Sequence, residues 1–324
     1  MTLVELFVGS IMAFLIITPM LAFVVDMLNT DRREQVKSNT EQDLQAAVDF
    51  IAQDLSQAIY IYDNKAINVG TGATPAIRNQ LPNNGDPNRI PILVFWKRQQ
   101  IKNSVPINPI VAARPNTCKD NPGQCNDTYV LSLVAYYQFK DNAPTWCQPS
   151  GGNCPTRIAR YEIRDGVKNP STLAYYPDAE TTTGQRKDPA FNENFDLSKP
   201  TEDVTVVGEL GNLDSGAQKP EVLVNYIDHT IAGVPAPPDC KTTLNVTDPP
   251  APAPPLTQGD LLIADRQTNS FYACVDTSKN IARVTIRGNS LRRIQAQDAE
   301  FTTTSSAYFP TATVQVKGLG ATGE

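Results

Sequence analysis

From Leu6 to Val25 twenty residues pass without a charge, and only Gly9, Ser10, Thr18 and Pro19 interrupt the apolar run. At 1.5 Å per residue, a helix of that length spans about 30 Å, the hydrocarbon core of a bilayer. The first 28 residues therefore predict a transmembrane helix, flawed at Pro19, where a missing backbone donor and a ring clash predict a kink or local melting. The pattern then changes. From Leu28 to Tyr62 there is neither Pro nor Gly, and apolar or small residues recur at Val36, Thr40, Leu44, Ala47, Val48, Ile51, Leu55, Ala58, Ile59 and Tyr62. Steps of three and four make one helical stripe. The remaining positions, Arg32, Arg33, Glu34, Lys37, Glu41, Asp43, Asp49 and Asp54, form a predicted solvent face. Residues 29–62 are thus expected to continue the helix. Asp26 to Lys37 is expected to form an exposed neck, and the last turns to pack on a head.

Past Tyr62 the period shortens. Ile90–Trp96, Thr128–Phe139 and Arg157–Arg164 predict the core strands of an antiparallel sheet. Val204–Leu210 and Glu221–Ile231 predict further ordered elements, the second a short helix turning into a strand. Gly233 to Gln258 carries eight prolines and predicts an extended excursion without helix or central strand. Strand character resumes at Asp260–Ala264, Ser270–Asp276, Ile281–Arg287 and Thr311–Lys317. The fold class is α+β: a long N-terminal helix, half membrane and half amphipathic, packed on an antiparallel β-sheet head spanning residues 63–324.

Six cysteines after a membrane segment predict disulfides in an oxidising compartment. Cys118 and Cys125 are separated by six residues, as are Cys147 and Cys154, so each pair closes its own loop or the four cross-pair. Cys240 and Cys274 remain as the third pair. Zinc is the competing use of four cysteines, disfavoured by the loose spacing. The turn Asn83-Asn84-Gly85-Asp86-Pro87 holds amides and acids but lacks a spaced calcium ligand set, so no cofactor or metal is expected, calcium at this turn being the remote alternative. The net charge of −6 gives no basic footprint for nucleic acid. Asp228 stands beside His229, the single histidine, but no nucleophile context, metal cluster or phosphate loop accompanies them. A membrane-anchored enzyme is the remote alternative. No small-x-small cleavage site ends the apolar run, so the segment is expected to be retained.

One residue of the membrane stretch resists the plain-anchor reading. Glu5 is a carboxylate placed where insertion is costly, by up to about 2.5–3.5 kcal/mol at the centre of a bilayer and less toward its surface. No Lys, Arg or His precedes Arg32. The nearest positive group is the α-amino group of residue 1, most directly that of a staggered neighbour. The run Met1-Thr2-Leu3-Val4-Glu5-Leu6, followed by an apolar helix containing proline, resembles the mature N-terminus of type IV pilins and pseudopilins. Residue 1 is usually Phe in that family and is Met1 here. The phrase Phe50-Ile51-Ala52-Gln53-Asp54-Leu55-Ser56-Gln57-Ala58 resembles the helix end of the large J- or W-type minor pseudopilins. Ser270–Val275 with Ala282–Gly288 is similar to their final hairpin. The opening and Phe50–Asp63 also resemble pseudopilins of filamentous cyanobacteria that serve polysaccharide secretion.

The resemblance implies a structural subunit rather than an enzyme. A prepilin peptidase would cut before Met1, whose amine would then be methylated. Leu3, Leu6, Phe7, Ile11, Phe14 and Leu15 would pack against neighbouring subunits, and Glu5 would set their register. The partners implied are other pilin or pseudopilin subunits, an inner-membrane assembly platform, and lipid before assembly. The head would face the periplasm and then lie in a periplasmic or cell-surface filament, serving secretion or motility. A major fibre-forming pilin with an adhesive head is the alternative within the family.

Overall fold

A single helix, α1, runs without interruption from Leu3 to Ser56, 54 residues or about 80 Å. The computed structural model describes residues 3–70, 75–82, 86–107, 118, 122–176, 186–210 and 220–320. Met1 and the turn at residues 83–85 lie outside them. The helix continues through Pro19, so the expected local melting there is not observed. It also ends earlier than its stripe suggested. After Ser56 the chain turns into β1 (Ala58–Ile61), which pairs antiparallel with β2 (Arg89–Pro106). Residues 58–62 carry apolar side chains in a spacing that fits helix and strand alike. Backbone pairing to β2, with Arg98 N–H donating to the Gln57 carbonyl, decides for strand.

The first sheet is antiparallel in the order β1-β2-β3-β4-β5, with β3 at Cys125–Phe139, β4 at Thr156–Arg164 and β5 at Glu221–Ile227. β2 and β3 are longer than predicted. Their distal half is polar and has solvent on it, so hydropathy could not mark it, but the ladder runs from Arg89↔Phe139 to Pro106↔Cys125. Glu221–Ile227 is strand throughout, which replaces the predicted helix turning into strand. Val204–Leu210 holds only a bridge at Thr205 and a 3-10 turn at Val207–Glu209.

The second sheet is antiparallel in the order β6-β7-β8-β9: Leu262–Ala264, Phe271–Asp276, Ile281–Arg287 and Thr311–Lys317. The last two match their predicted bounds. Ala282, Val284 and Ile286 face Val316, Val314 and Ala312 across the ladder, so one apolar row covers the inner face. The sheets are joined where Ile227 bridges Gly288 and Asn289 N–H donates to the Tyr226 carbonyl at 2.7 Å. Leu44, Ala47, Val48, Ile51 and Leu55 of α1 fill the space between them and belong to the same core as Phe95, Trp96, Tyr136, Val275 and Val284.

All three disulfides link cysteines in sequence order, Cys118–Cys125, Cys147–Cys154 and Cys240–Cys274. The crossed pairing is overturned, and all six cysteines are committed to disulfides. The proline-rich segment contains one short helix, α2 (Cys240–Leu244), which corrects the expectation of none. It forms in the longest part free of proline, capped by Asp239, whose carboxylate accepts from Thr242 N–H at 3.2 Å. The Cys240–Cys274 bond pins this turn to the outer face of β7, over Leu244, Val246 and Leu261. A second short helix, α3 (Gln258–Leu261), leads into β6.

Candidate functional site

The feature that most needs a function is the first half of α1. Every described side chain from Leu3 to Leu28 is exposed, including Leu3 at 88%, Phe7 at 63%, Phe14 at 70% and Phe23 at 69%. An unpartnered apolar surface of this extent marks a membrane or protein interface. Its few hydroxyls are satisfied within the helix: Ser10 donates to the Phe7 carbonyl and Thr18 to the Phe14 carbonyl, both at 2.8 Å. The span is long and apolar enough to cross a membrane. Position 5 lies within α1, near its described N-terminal end.

The predicted packing residues are not evenly spread. At about 100° per residue, Leu3, Leu6, Phe7, Ile11, Phe14 and Leu15 fall within one half of the helical circumference. Position 5 falls on the other half. A neighbour seated on Phe7 and Phe14 is therefore not the one that meets position 5, so a subunit using both is contacted on two sides.

The second half of α1 is held to the head by a buried charge cluster that the hydrophobic pattern misassigned. Asp54, placed on the solvent face by its charge, is only 7% exposed. Its Oδ1 accepts from Lys97 Nζ at 2.8 Å. Its Oδ2 accepts from Arg160 Nε and from the Tyr136 hydroxyl, each at 2.7 Å. Those partners come from β2, β4 and β3, so one carboxylate ties the helix to three adjacent strands. Helix phase was the available signal, since position 54 lies one turn from Ile51 and next to Ala47 around the axis. Burial pushes the Asp54 carboxyl upward, but Arg160 and Lys97 outweigh it and hold the group below its ordinary range. The Tyr136 hydroxyl is driven far up by burial and by the adjacent Asp54, so it stays a donor. Glu162 shares Arg160 at 2.8 Å.

Two further contacts fix the helix along its length. Gly288 lies where α1 crosses the second sheet, and a Cβ there would stand 2.8 Å from Thr40 Cγ2 and 3.0 Å from Leu44 Cδ1. At the same level of the helix, Arg293 pairs with Asp43. Neither residue carried a signal in the sequence read alone.

His229 is half-buried, and burial lowers its pKa despite Asp228 and Glu300 nearby. The adjacent Asp228 carboxylate is committed to Arg287 Nε at 2.9 Å and to the Thr230 hydroxyl at 2.7 Å, not to the imidazole. Among the described residues no group of three or more His, Cys, Asp or Glu is placed to hold a metal ion. No family model matches the chain, and comparison with curated proteins and with solved structures returned no significant match.

Proposed function

We propose that this chain is a minor pilin or pseudopilin, a subunit that enters a type IV pilus-like or type II secretion-like filament through its N-terminal helix. The observation that carries the reading is the division of α1: an apolar half without a partner in its own chain, and a half locked into a disulfide-bearing head. In this reading the helix waits in the inner membrane with the head in the periplasm. Leu3, Leu6, Phe7, Ile11, Phe14 and Leu15 then exchange lipid for neighbouring helices. Glu5 meets the amine of an adjacent subunit on the opposite side, which offsets the cost of an acid in an apolar surround. Asp54 and its partners transmit the pull on the helix to the head.

Mass spectrometry of the native N-terminus tests processing. An α-N-methylated Met1, cleaved from a precursor leader ending in Gly, is the expected result, whereas an unmodified initiator Met1 overturns the reading. Glu5→Ala tests assembly: membrane insertion should persist while co-purification with filament subunits falls to background. Assembly unaffected by the substitution would remove the register role.

A further inference from the structure

With the stem in a bilayer, the position of the head relative to the surface follows from helix rise alone. The continuous run of exposed apolar side chains ends at Leu28. Arg32 and Arg33 therefore lie about 6–8 Å beyond the hydrocarbon edge, and the headgroup layer is about 5–7 Å thick on each side. At this level the head comes down beside the helix. The chain after the 3-10 turn Leu291–Arg293 brings Ile294 and Gln295 against the neck, leaving an open cleft lined also by Asp26, Asn29, Thr30, Arg32 and Arg33.

The cleft side of the neck has its own charge. Around the axis, positions 26, 29, 30 and 33 continue the head-facing line of Thr40 and Leu44, with Arg32 at its margin. Asp31 falls on the far side; Glu34 stands at the opposite margin and does not line the cleft. Among the described residues, neither Arg32 nor Arg33 has an ion-pair or hydrogen-bond partner, whereas Arg293 just above is paired with Asp43. Two free guanidiniums against one carboxylate, Asp26, leave the cleft with one net positive charge. Asn29, Thr30 and Gln295 add neutral polar groups.

We propose that this cleft is a binding site for the phosphate of a membrane phospholipid, with Arg32 and Arg33 as its ligands and the 294–295 turn as its lid. A phosphodiester carries the one negative charge the cleft lacks, and guanidinium is the side chain whose fork of donors matches phosphate. The acyl chains of such a lipid would run down the same face of the helix, along Ala22, Pro19 and Leu15. Occupancy would hold the head upright on the bilayer before the helix leaves it. The site rests on the stem lying in a membrane and not on filament assembly, so failure of either reading leaves the other standing.

The test reconstitutes the full chain in vesicles of equal parts phosphatidylcholine and phosphatidylglycerol, re-extracts it in non-ionic detergent, and counts retained phospholipid by native mass spectrometry. The wild-type chain is expected to retain phosphatidylglycerol. Each arginine near a membrane surface is worth on the order of five-fold in affinity, so Arg32→Gln with Arg33→Gln should weaken retention by roughly thirty-fold. Lys317→Gln is the control: Lys317 precedes Gly318, which packs on Ala58 about 35 Å up the helix, and its loss should change nothing. Equal retention by the double variant would overturn the site. So would displacement of the lipid by inorganic phosphate, which would mark a free-anion site, or an arginine-dependent dimer in place of bound lipid.

Discussion

Replacing Asp54 with Ala removes one carboxylate and strands three donors. The Lys97 and Arg160 side chains are 6% and 11% exposed, so water does not replace the lost acceptor for either. Arg160 keeps Glu162 at 2.8 Å, which limits its share of the loss. For Lys97 the bond to Asp54 is the principal compensation, and it carries most of the penalty. Breaking a buried pair by removing one partner costs about 3–5 kcal/mol, and the retained Arg160–Glu162 contact places Asp54→Ala near the lower bound, about 3 kcal/mol. The assay is denaturant unfolding of the full chain in detergent with disulfides intact, followed by the fluorescence of buried Trp96 beside Lys97. Lys97→Met should cost less than Asp54→Ala, because Asp54 then retains Arg160 and Tyr136. The sign with pH is fixed by the lowered Asp54 pKa. Its contribution is present above the unfolded carboxyl value near 3.9 and is lost as pH falls through the lower folded value. Wild type should therefore lose stability below about pH 4 more steeply than Asp54→Ala. A loss under 1 kcal/mol, or identical acid profiles, would refute the claim that this carboxylate anchors the helix.

Gly288→Val places two methyl groups where a single Cβ already meets Thr40 and Leu44, and overpacking of this kind costs about 1–3 kcal/mol; denaturant midpoints in the same assay check it, and an unchanged midpoint contradicts the close approach. Asp188 behaves oppositely to Asp54. Burial raises its carboxyl from 3.8 to about 6, and one oxygen has no partner while the other caps Ala190 N–H. The folded chain then binds the proton more tightly than the unfolded one, so stability falls as pH rises from about 4 to about 6. Asp188→Asn should gain roughly 1–2 kcal/mol at neutral pH, with no gain below the unfolded carboxyl value; a variant less stable than wild type at neutral pH would show that the ionised form is compensated.

The helix, its membrane half and the strands of the second sheet could be read directly because each buries one face and exposes another, which prints a period on the chain. Ala282, Val284 and Ile286 against Ala312, Val314 and Val316 are the clearest case. The errors arose where periodicity is degenerate or absent. Ala58 to Tyr62 fits both periods, and pairing with a strand nearly forty residues away settles it. The distal half of the β2–β3 ladder is polar because it is solvated, so the run Lys97–Lys102 ended the predicted strand too soon. Cysteine spacing leaves the pairing of the first four cysteines open, since two local loops and two crossed ones satisfy it equally. Asp54 was misread because charge was taken as exposure, although its helical phase pointed inward.

The buried Asp54 cluster governs how the two halves of α1 work together. A helix held only by apolar contacts can shift by a turn at modest cost, because a step of three or four exchanges Leu44, Val48 and Ile51 for Val48, Ile51 and Leu55, side chains of similar kind. A carboxylate with three fixed donors has one position, and shifting it by a single residue leaves two cations and a hydroxyl without an acceptor. Gly288 adds a steric notch that admits only the Thr40–Leu44 segment. Together they fix the axial and rotational setting of the helix in the head. On an unbroken helix, that setting also fixes which way positions 5, 7 and 14 face, some 60–75 Å below. If the chain assembles as proposed, register between neighbouring stems and orientation of the head become one variable, and a helix repositioned at Asp54 should alter assembly even when every residue of the stem is intact.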